Sequence, residues 1–169
     1  VCRMENDYLL VKVCKNGSVD FYDKKKKEWF NNIIDIEDTA DIGDSYVYGD
    51  SGDNAIIGSD FNAEVSVLEN NSMVSCVEIK RDMFVSEHYD FLNRRRSDNK
   101  TKCSVKLKLS LEKGSEFLTV GYEIDNTAHD HRMRLLVRTG VGDDSIIADN
   151  PFDIICHKDD SHFGGPMSK

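Results

Sequence analysis

The chain has 169 residues, a formal net charge of −9 and 39% hydrophobic residues, which is enough apolar material for one packed domain over residues 1–169 and too much for a disordered chain. No apolar run reaches the roughly 20 residues that a transmembrane helix needs, and no apolar segment follows a basic start as in a signal peptide. The acidic balance repels phosphate backbones, so we expect neither a nucleic acid nor a membrane as a partner.

The first predicted element is a β-hairpin. Residues 8–14 are rich in strand-forming side chains and end at Asn16-Gly17, and residues 18–22 resume the alternation of polar and apolar positions. Two strands on either side of Asn-Gly are a strong hairpin signal, because a type I′ turn needs positive φ at both central residues. The run Lys24–Lys27 follows as a solvated turn between strands.

A long acidic loop with several glycines comes next, over Asp38–Asp53. Loops of this length in a compact domain are usually functional or disordered. The remaining pattern predicts strands near 63–68, 72–80, 103–111, 117–124, 132–138 and 154–156, with a polar connection over 90–102. Many strands, only two prolines and no helical period predict an all-β antiparallel sandwich.

The five cysteines, at positions 2, 14, 76, 103 and 156, form no Cys-x-x-Cys pair and are odd in number. Their spacing fits neither a zinc site nor a secreted disulfide framework. We therefore expect reduced thiols in a cytoplasmic protein, with Cys14 and Cys103 serving as small apolar residues in strands.

Carboxylates close to aromatic residues are the candidate sugar-binding groups. They are Asp44, Asp149 and Asp153, near Tyr46, Tyr48 and Phe152. Two carboxylates can carry out glycoside hydrolysis at a suitable separation, but acidic residues in β-loops equally act as turn formers. The acidic loop contains no EF-hand calcium motif.

His129-Asp130-His131 places two possible metal ligands at alternate positions. The segment follows a polar connection and has no third ligand at a recognisable spacing, so a surface turn is the preferred interpretation. His131 with a carboxylate is the one candidate acid–base pair in the chain.

Three segments resemble the bacterial α-mannosidases of glycoside hydrolase family 38, in the β-sandwich that follows their catalytic domain. Met4–Leu9, with Asn16-Gly17-Ser18 and Asp23-Lys24, is similar to the first strand and hairpin of that sandwich. Asp41–Tyr48 is similar to the family's Gly-Asp-Ser-Tyr loop. Asp130–Arg134, followed by Thr139-Gly140, Ser145, Ala148-Asp149 and Pro151-Phe152-Asp153, is similar to a later motif of the bacterial members.

The resemblance implies a galactose-mutarotase-like supersandwich that packs on a catalytic domain and a helical bundle of the same parent chain. The family's zinc ligands and nucleophile lie in segments that precede this one, so no catalytic residue, metal ligand or cofactor is assigned to this chain, and zinc is implied for the catalytic domain. Tyr46 falls on the family's sugar-lining tyrosine, and a basic residue near the sugar falls around His157-Lys158. Tyr46, Asp44 and Asp149 are thus the expected substrate-lining residues.

Three functions stay open at this point. The first is a non-catalytic β-sandwich domain of a retaining α-mannosidase that acts on a mannose-containing glycan. The second is a stand-alone carbohydrate-binding module with an aromatic platform at Tyr46, Tyr48 and Phe152. The third is a mutarotase-like epimerase that uses His131. A domain separated from its neighbours also exposes an apolar face, which makes a homo-oligomer an expected state of the fragment.

Overall fold

A computed structural model describes residues 1–140, 142 and 145–158 of the chain. In this part of the chain every regular element is a β-strand, apart from one 3₁₀ turn at Gly58–Asp60, and every strand pairing is antiparallel. The predicted all-β antiparallel fold is confirmed. The described residues hold no helix with the length and apolar character that crossing a bilayer requires.

The described residues contain fifteen strands. They are β1 (Cys2–Glu5), β2 (Leu9–Val13), β3 (Val19–Asp23), β4 (Glu28–Phe30), β5 (Ile34–Ala40), β6 (Ile56–Ile57), β7 (Ala63–Asn70), β8 (Val74–Ser86), β9 (Tyr89–Asp90), β10 (Arg95–Arg96), β11 (Lys100–Glu112), β12 (Thr119–Asp125), β13 (His131–Val137), β14 (Ser145–Asn150) and β15 (Asp153–Lys158).

The strands form three main sheets and two short hairpins. The main sheets have the orders β1-β2-β3-β4, β12-β11-β8-β7 and β13-β5-β6, while β9 pairs with β10 and β14 with β15. The first sheet contains the predicted hairpin, in which Val13 pairs with Val19. The expected type I′ turn is wrong, because Gly17 has φ of 77° but Asn16 is not in the positive-φ region. Glycine adopts that conformation without steric cost.

The core lies against one face of the long β8–β11 ladder. On β11 the residues Cys103, Val105, Leu107, Leu109 and Leu111 alternate with polar positions and are all buried. Their partners on β8 occupy the same face in register, and residues from β1, β2, β3 and β5 cover them. A single hydrophobic cluster thus joins all three main sheets.

The acidic loop begins later than predicted. Asp38 lies inside strand β5 and is buried, so the prediction of a loop from Asp38 is wrong for its first three residues. A carboxylate tolerates burial when cations neutralise it, and Arg96 supplies an ion pair at 2.7 Å. The polar connection predicted at 90–102 is likewise shorter, because β11 already begins at Lys100.

Asp35 is a second buried carboxylate on β5. Its Oδ1 accepts hydrogen bonds from the backbone N–H groups of Ile36 and Ser59 at 2.9 and 3.0 Å. Arg81, from β8, lies 3.7 Å from the same oxygen, and Arg138 approaches Oδ2 at 3.3 Å. Burial lowers the pKa of the Arg81 guanidinium and the charge of Asp35 opposes that shift. Strand β5 is therefore tied by charge as well as by packing.

Candidate functional site

The loop that follows β5 is closed by hydrogen bonds within itself. Asp41 Oδ1 accepts the backbone N–H groups of Gly43 and Gly49 at 3.0 and 2.9 Å. The N–H of Ile42 donates to the carbonyl of Gly49 at 2.9 Å. One carboxylate therefore holds both arms of the loop together, as Asp side chains commonly do in turns.

Asp44 organises the tip of this loop. Its Oδ1 accepts the N–H groups of Tyr46 and Val47 at 2.8 and 2.9 Å, and its own N–H donates to the carbonyl of Val47 at 3.1 Å. The hydrogen bond from Tyr46, followed by that from Val47, lowers the pKa of the Asp44 carboxyl, because both bonds favour the ionised form. The ring of Tyr46 is left 94% exposed at the tip.

Gly43 is required by the closeness of the two arms. A Cβ atom at this position would lie 1.8 Å from the carbonyl oxygen of Val47, and one at Gly49 would lie 2.5 Å from the backbone nitrogen of Gly43. No side chain fits at such distances. The conformation that presents Tyr46 thus depends on glycine at both points.

Strand β13 fixes the base of the loop. The N–H of Asp41 donates to the carbonyl of Asp130 at 2.9 Å. The guanidinium carbon of Arg132 lies 3.4 Å from the centre of the Tyr48 ring, a cation–π contact. The Nε atom of Arg132 is buried and has no hydrogen-bond partner in the described residues. The guanidinium is therefore held by its stacking on the Tyr48 ring.

A buried charge cluster lies beneath the loop. The Asp38 carboxylate, 1% exposed, accepts a short hydrogen bond from Nδ1 of His131, whose side chain is 6% exposed. On its other oxygen it accepts Nη1 of Arg96 at 2.7 Å, while Nη2 of Arg96 donates to the Asp38 carbonyl at 3.2 Å. The predicted surface turn at residues 129–131 is wrong for His131, which begins β13 with its ring inside the protein.

Both ring nitrogens of His131 face acceptors. Nε2 lies 2.9 Å from Oδ1 of Asn126, and this same oxygen accepts the backbone N–H of Ala128 at 3.1 Å. His131 is thereby occupied in joining Asp38 to the segment before β13.

An open polar cleft lies between the loop and the start of β13. It is lined by Asp41, Gly43, Asp44, Ser45, Asp130 and His131. Carboxylate, hydroxyl and backbone groups of this kind accept and donate hydrogen bonds to sugar hydroxyls. The cleft therefore has the chemistry of a polyhydroxyl site, and Tyr46 protrudes from the loop beside it.

The predicted site residues lie in two places. Tyr46 and Asp44 belong to one turn, whereas Asp149 is exposed on β14, in the hairpin of β14 and β15. In the described part of the chain no hydrogen bond joins Asp149 to the loop. Phe152 is fully exposed at the turn of that hairpin. The side chains of Asp153, His157 and Lys158, and the whole of His162, lie outside the described residues.

A metal site needs several His, Cys, Asp or Glu side chains close together. Within residues 1–140, 142 and 145–158, no three His, Cys, Asp or Glu side chains gather as a metal-binding group.

Sequence reasoning did not identify Arg96 and Arg132 as partners of the site. Arg96 sits in the run Arg94-Arg95-Arg96, which has the composition of a solvated connection. Arg132 could have been noticed from the alternation of β13, which places Arg132 and Arg134 on the same face of the strand.

The chain is similar to parts of several known proteins, of which three are described here. No protein-family model matches the chain. A protein of Halalkalibacterium halodurans named "Putative mannosylglycerate hydrolase" is 29% identical over 167 residues, which cover 90% of this chain and 19% of that protein. The crystal structure of an α-mannosidase from Enterococcus faecalis V583 matches with a TM-score of 0.84 and 27% identity, over 92% of this chain and 19% of that one. A glycosyl hydrolase family 38 protein from Enterococcus faecalis matches with a TM-score of 0.84 and 26% identity, over 92% of this chain and 20% of that one. The chain thus spans about a fifth of the length of these relatives.

Proposed function

We propose, from the homology of this chain to a segment of the glycoside hydrolase family 38 α-mannosidases, that it is the β-sandwich domain of a retaining α-mannosidase. In this proposal the full-length protein hydrolyses terminal α-mannosides in the cytoplasm. The domain itself is not catalytic. It supports the catalytic and helical-bundle domains and contributes loop residues to the sugar site.

The observation that carries the proposal is the presentation of Tyr46. Its ring is 94% exposed, although the loop that bears it is hydrogen-bonded at both its base and its tip. An exposed aromatic residue on a rigid loop is organised before a ligand arrives, which reduces the entropic cost of binding. A tyrosine offers an aromatic face to a sugar ring and a hydroxyl to its oxygens.

Asp44 and Asp149 have different parts in the proposal. Asp44 is a positioning residue, because its Oδ1 is used by the N–H groups of Tyr46 and Val47. Asp149 is exposed on β14 and is proposed to reach the sugar from the β14–β15 hairpin. The nucleophile and the zinc ion belong to the catalytic domain of the full-length protein. All five cysteines are free in the structure. Free thiols support a cytoplasmic location, because disulfides persist mainly in oxidising compartments.

The test compares exposed tyrosines in the full-length protein. Tyr46→Ala is expected to lower kcat/KM for an aryl α-mannoside by about tenfold or more, equivalent to about 1.4 kcal/mol of transition-state binding. Tyr122, 62% exposed on β12, provides the matched control, and Tyr122→Ala should leave kcat/KM unchanged. Equal activities of the two variants would exclude a sugar-lining role for Tyr46.

The isolated chain is expected to have no mannosidase activity with or without zinc. Activity of the pure chain toward an aryl α-mannoside would contradict the non-catalytic role. The name of the Halalkalibacterium relative favours a second substrate for the full-length protein, mannosylglycerate. Parallel assays with the two substrates decide between them.

A stand-alone carbohydrate-binding module is the alternative that the exposed Tyr46 also supports. Calorimetry of the isolated chain with α-mannosides distinguishes the two functions. Binding tighter than about 1 mM, or about 4 kcal/mol, favours the module. The epimerase alternative would need a free acid–base pair, and both ring nitrogens of His131 are engaged by Asp38 and Asn126.

A further inference from the structure

An apolar groove opens between strands β12 and β13. Leu118 and Val120 line one wall, from β12 and the residue before it, and Leu135 and Val137 of β13 line the other. The apolar lining is completed by Leu9, Phe21, Ile33, Ile34 and Phe117, and Glu116 is the charged residue of the groove. Such a surface favours an apolar protein segment over a polar ligand.

Strand β13 forms one edge of this groove, and its outer backbone groups can be identified from its pairing with β5. Arg138 N–H donates to the carbonyl of Ile33, and Asp41 N–H donates to the carbonyl of Asp130. In an antiparallel ladder the residues alternate between those that bond the neighbour and those that point away. The even-numbered residues of β13 therefore bond β5, and Met133, Leu135 and Val137 direct N–H and C=O groups outward.

The outer edge has no strand beside it in the described part of the chain, where β13 is the end of its sheet. The side chains of Met133 and Leu135 pack against the core from the same positions, and Val137 lines the groove while 55% exposed. The edge thus combines unpaired backbone groups with an apolar surface, which is the combination that an added strand satisfies.

We propose that a β-strand from another region of the full-length protein pairs with the outer edge of β13 and places its apolar side chains in this groove. The inference rests on the proposed function, in which the chain is one segment of a longer enzyme. Its relatives have about four-fifths of their length outside the matched segment, which is ample chain to supply the strand. The occupant is an extended segment with apolar residues at alternate positions, since side chains of a strand alternate between its faces.

Hydrogen exchange of the full-length protein, read residue by residue by mass spectrometry at two protein concentrations, tests the pairing. The outward amides of Met133, Leu135 and Val137 are expected to exchange within about tenfold of the Arg134 and Leu136 amides, which bond β5. This protection should not change on dilution. Fast exchange of the outward amides would overturn the proposal, and protection that is lost on dilution would assign the edge to a second copy of the chain and overturn it too.

A pair of variants tests the groove. Val137→Lys should lower the thermal midpoint of the full-length protein by several degrees, since a charge would be buried under the added strand. Val67→Lys is the matched control, because Val67 is 54% exposed on β7, outside the groove. Equal shifts, or no shift for either variant, would overturn the proposal, which requires both the pairing and the coverage.

The same preparation is assayed with an aryl α-mannoside. A protected β13 edge in an inactive protein would remove the proposed function and leave the strand pairing intact. An active protein whose β13 edge exchanges fast would overturn the strand pairing and leave the proposed function standing.

Discussion

Arg132 and Tyr48 join the acidic loop to strand β13, with the guanidinium carbon 3.4 Å from the centre of the tyrosine ring. Arg132 is the second residue of β13, and Tyr48 lies two residues after Tyr46 in the loop. The contact therefore connects the residue proposed to meet the sugar with the body of the sandwich.

Arg132→Leu should loosen the loop. We expect the free energy of unfolding to fall by about 1–2 kcal/mol, the size of a desolvated cation–π contact, and the KM of the full-length protein for an aryl α-mannoside to rise. Arg134→Leu is the control, because Arg134 pairs with Glu37 at an exposed position and surface pairs contribute little. Equal losses of stability and equal KM values for the two variants would contradict a positioning role for Arg132.

Asp38→Ala should be among the most destabilising single changes in the chain. It leaves Arg96 and His131 without their carboxylate in a buried position, and breaking a buried ion pair costs about 3–5 kcal/mol. Denaturant unfolding measures the loss. The neighbouring pair of Arg95 and Asp98 is exposed, so Asp98→Ala should leave the denaturation midpoint nearly unchanged. A small effect of Asp38→Ala would mean that the cluster is not a structural anchor.

The Asp44 carboxyl should titrate below the ordinary value for an aspartate. Its pKa is lowered in the folded chain, first by the N–H of Tyr46 and then by that of Val47. A depressed folded-state pKa stabilises the loop at pH values above the unfolded pKa, and this contribution is lost as the pH falls through the folded pKa. NMR should detect the transition in the amide shifts of Tyr46 and Val47.

Asp44→Asn is the control for this titration, since the amide oxygen keeps the two hydrogen bonds but cannot ionise. The transition should vanish in this variant while Tyr46 stays in place. A midpoint in wild type at or above that of an unfolded aspartate peptide, near about 3.9, would rule out the hydrogen bonds as the dominant influence.

Gly43→Ala should abolish the loop conformation, because its Cβ would lie 1.8 Å from the carbonyl oxygen of Val47. The full-length protein should lose activity toward an aryl α-mannoside by at least the factor seen for Tyr46→Ala. In Gly121→Ala the new Cβ meets only Lys108 at 3.8 Å, an ordinary contact, so activity should persist. Wild-type activity in Gly43→Ala would mean that the tip of the loop is dispensable.

The long strands were predictable because one physical rule determines them. Leu107 and Leu109 alternate with lysines over a strand that is half buried, so the period of two is visible in the residues themselves. The hairpin at Asn16-Gly17 was predictable from a glycine between two strands, since Gly17 takes the positive φ of the turn, although Asn16 does not and the turn is not type I′.

Strand β5 was not predictable in the same way. Asp38 has the composition of a loop residue, and its burial depends on Arg96 and His131, which are 58 and 93 residues away along the chain. Local patterns carry no information about such distant partners. The pair of Tyr46 and Asp44 was proposed from their closeness in sequence and from the resemblance of their motif, and it stays a prediction. The hydrogen bonds from Tyr46 and Val47 to Asp44 could not be read from the sequence, because they depend on the folded shape of the loop.

The 93-residue separation of Asp38 and His131 also affects the order in which the strands form during folding. Ser86 at the end of β8 pairs with Lys100 at the start of β11, so this ladder closes a short segment that contains β9 and β10. Strands β5 and β13 must bring more distant segments together, at a larger entropic cost. The part of the fold that carries Tyr46 is therefore the part expected to form last during synthesis. A partly folded chain would contain the β8–β11 ladder before its loop presents Tyr46. A measurement of secondary-structure content alone would therefore not distinguish this partly folded chain from the native one.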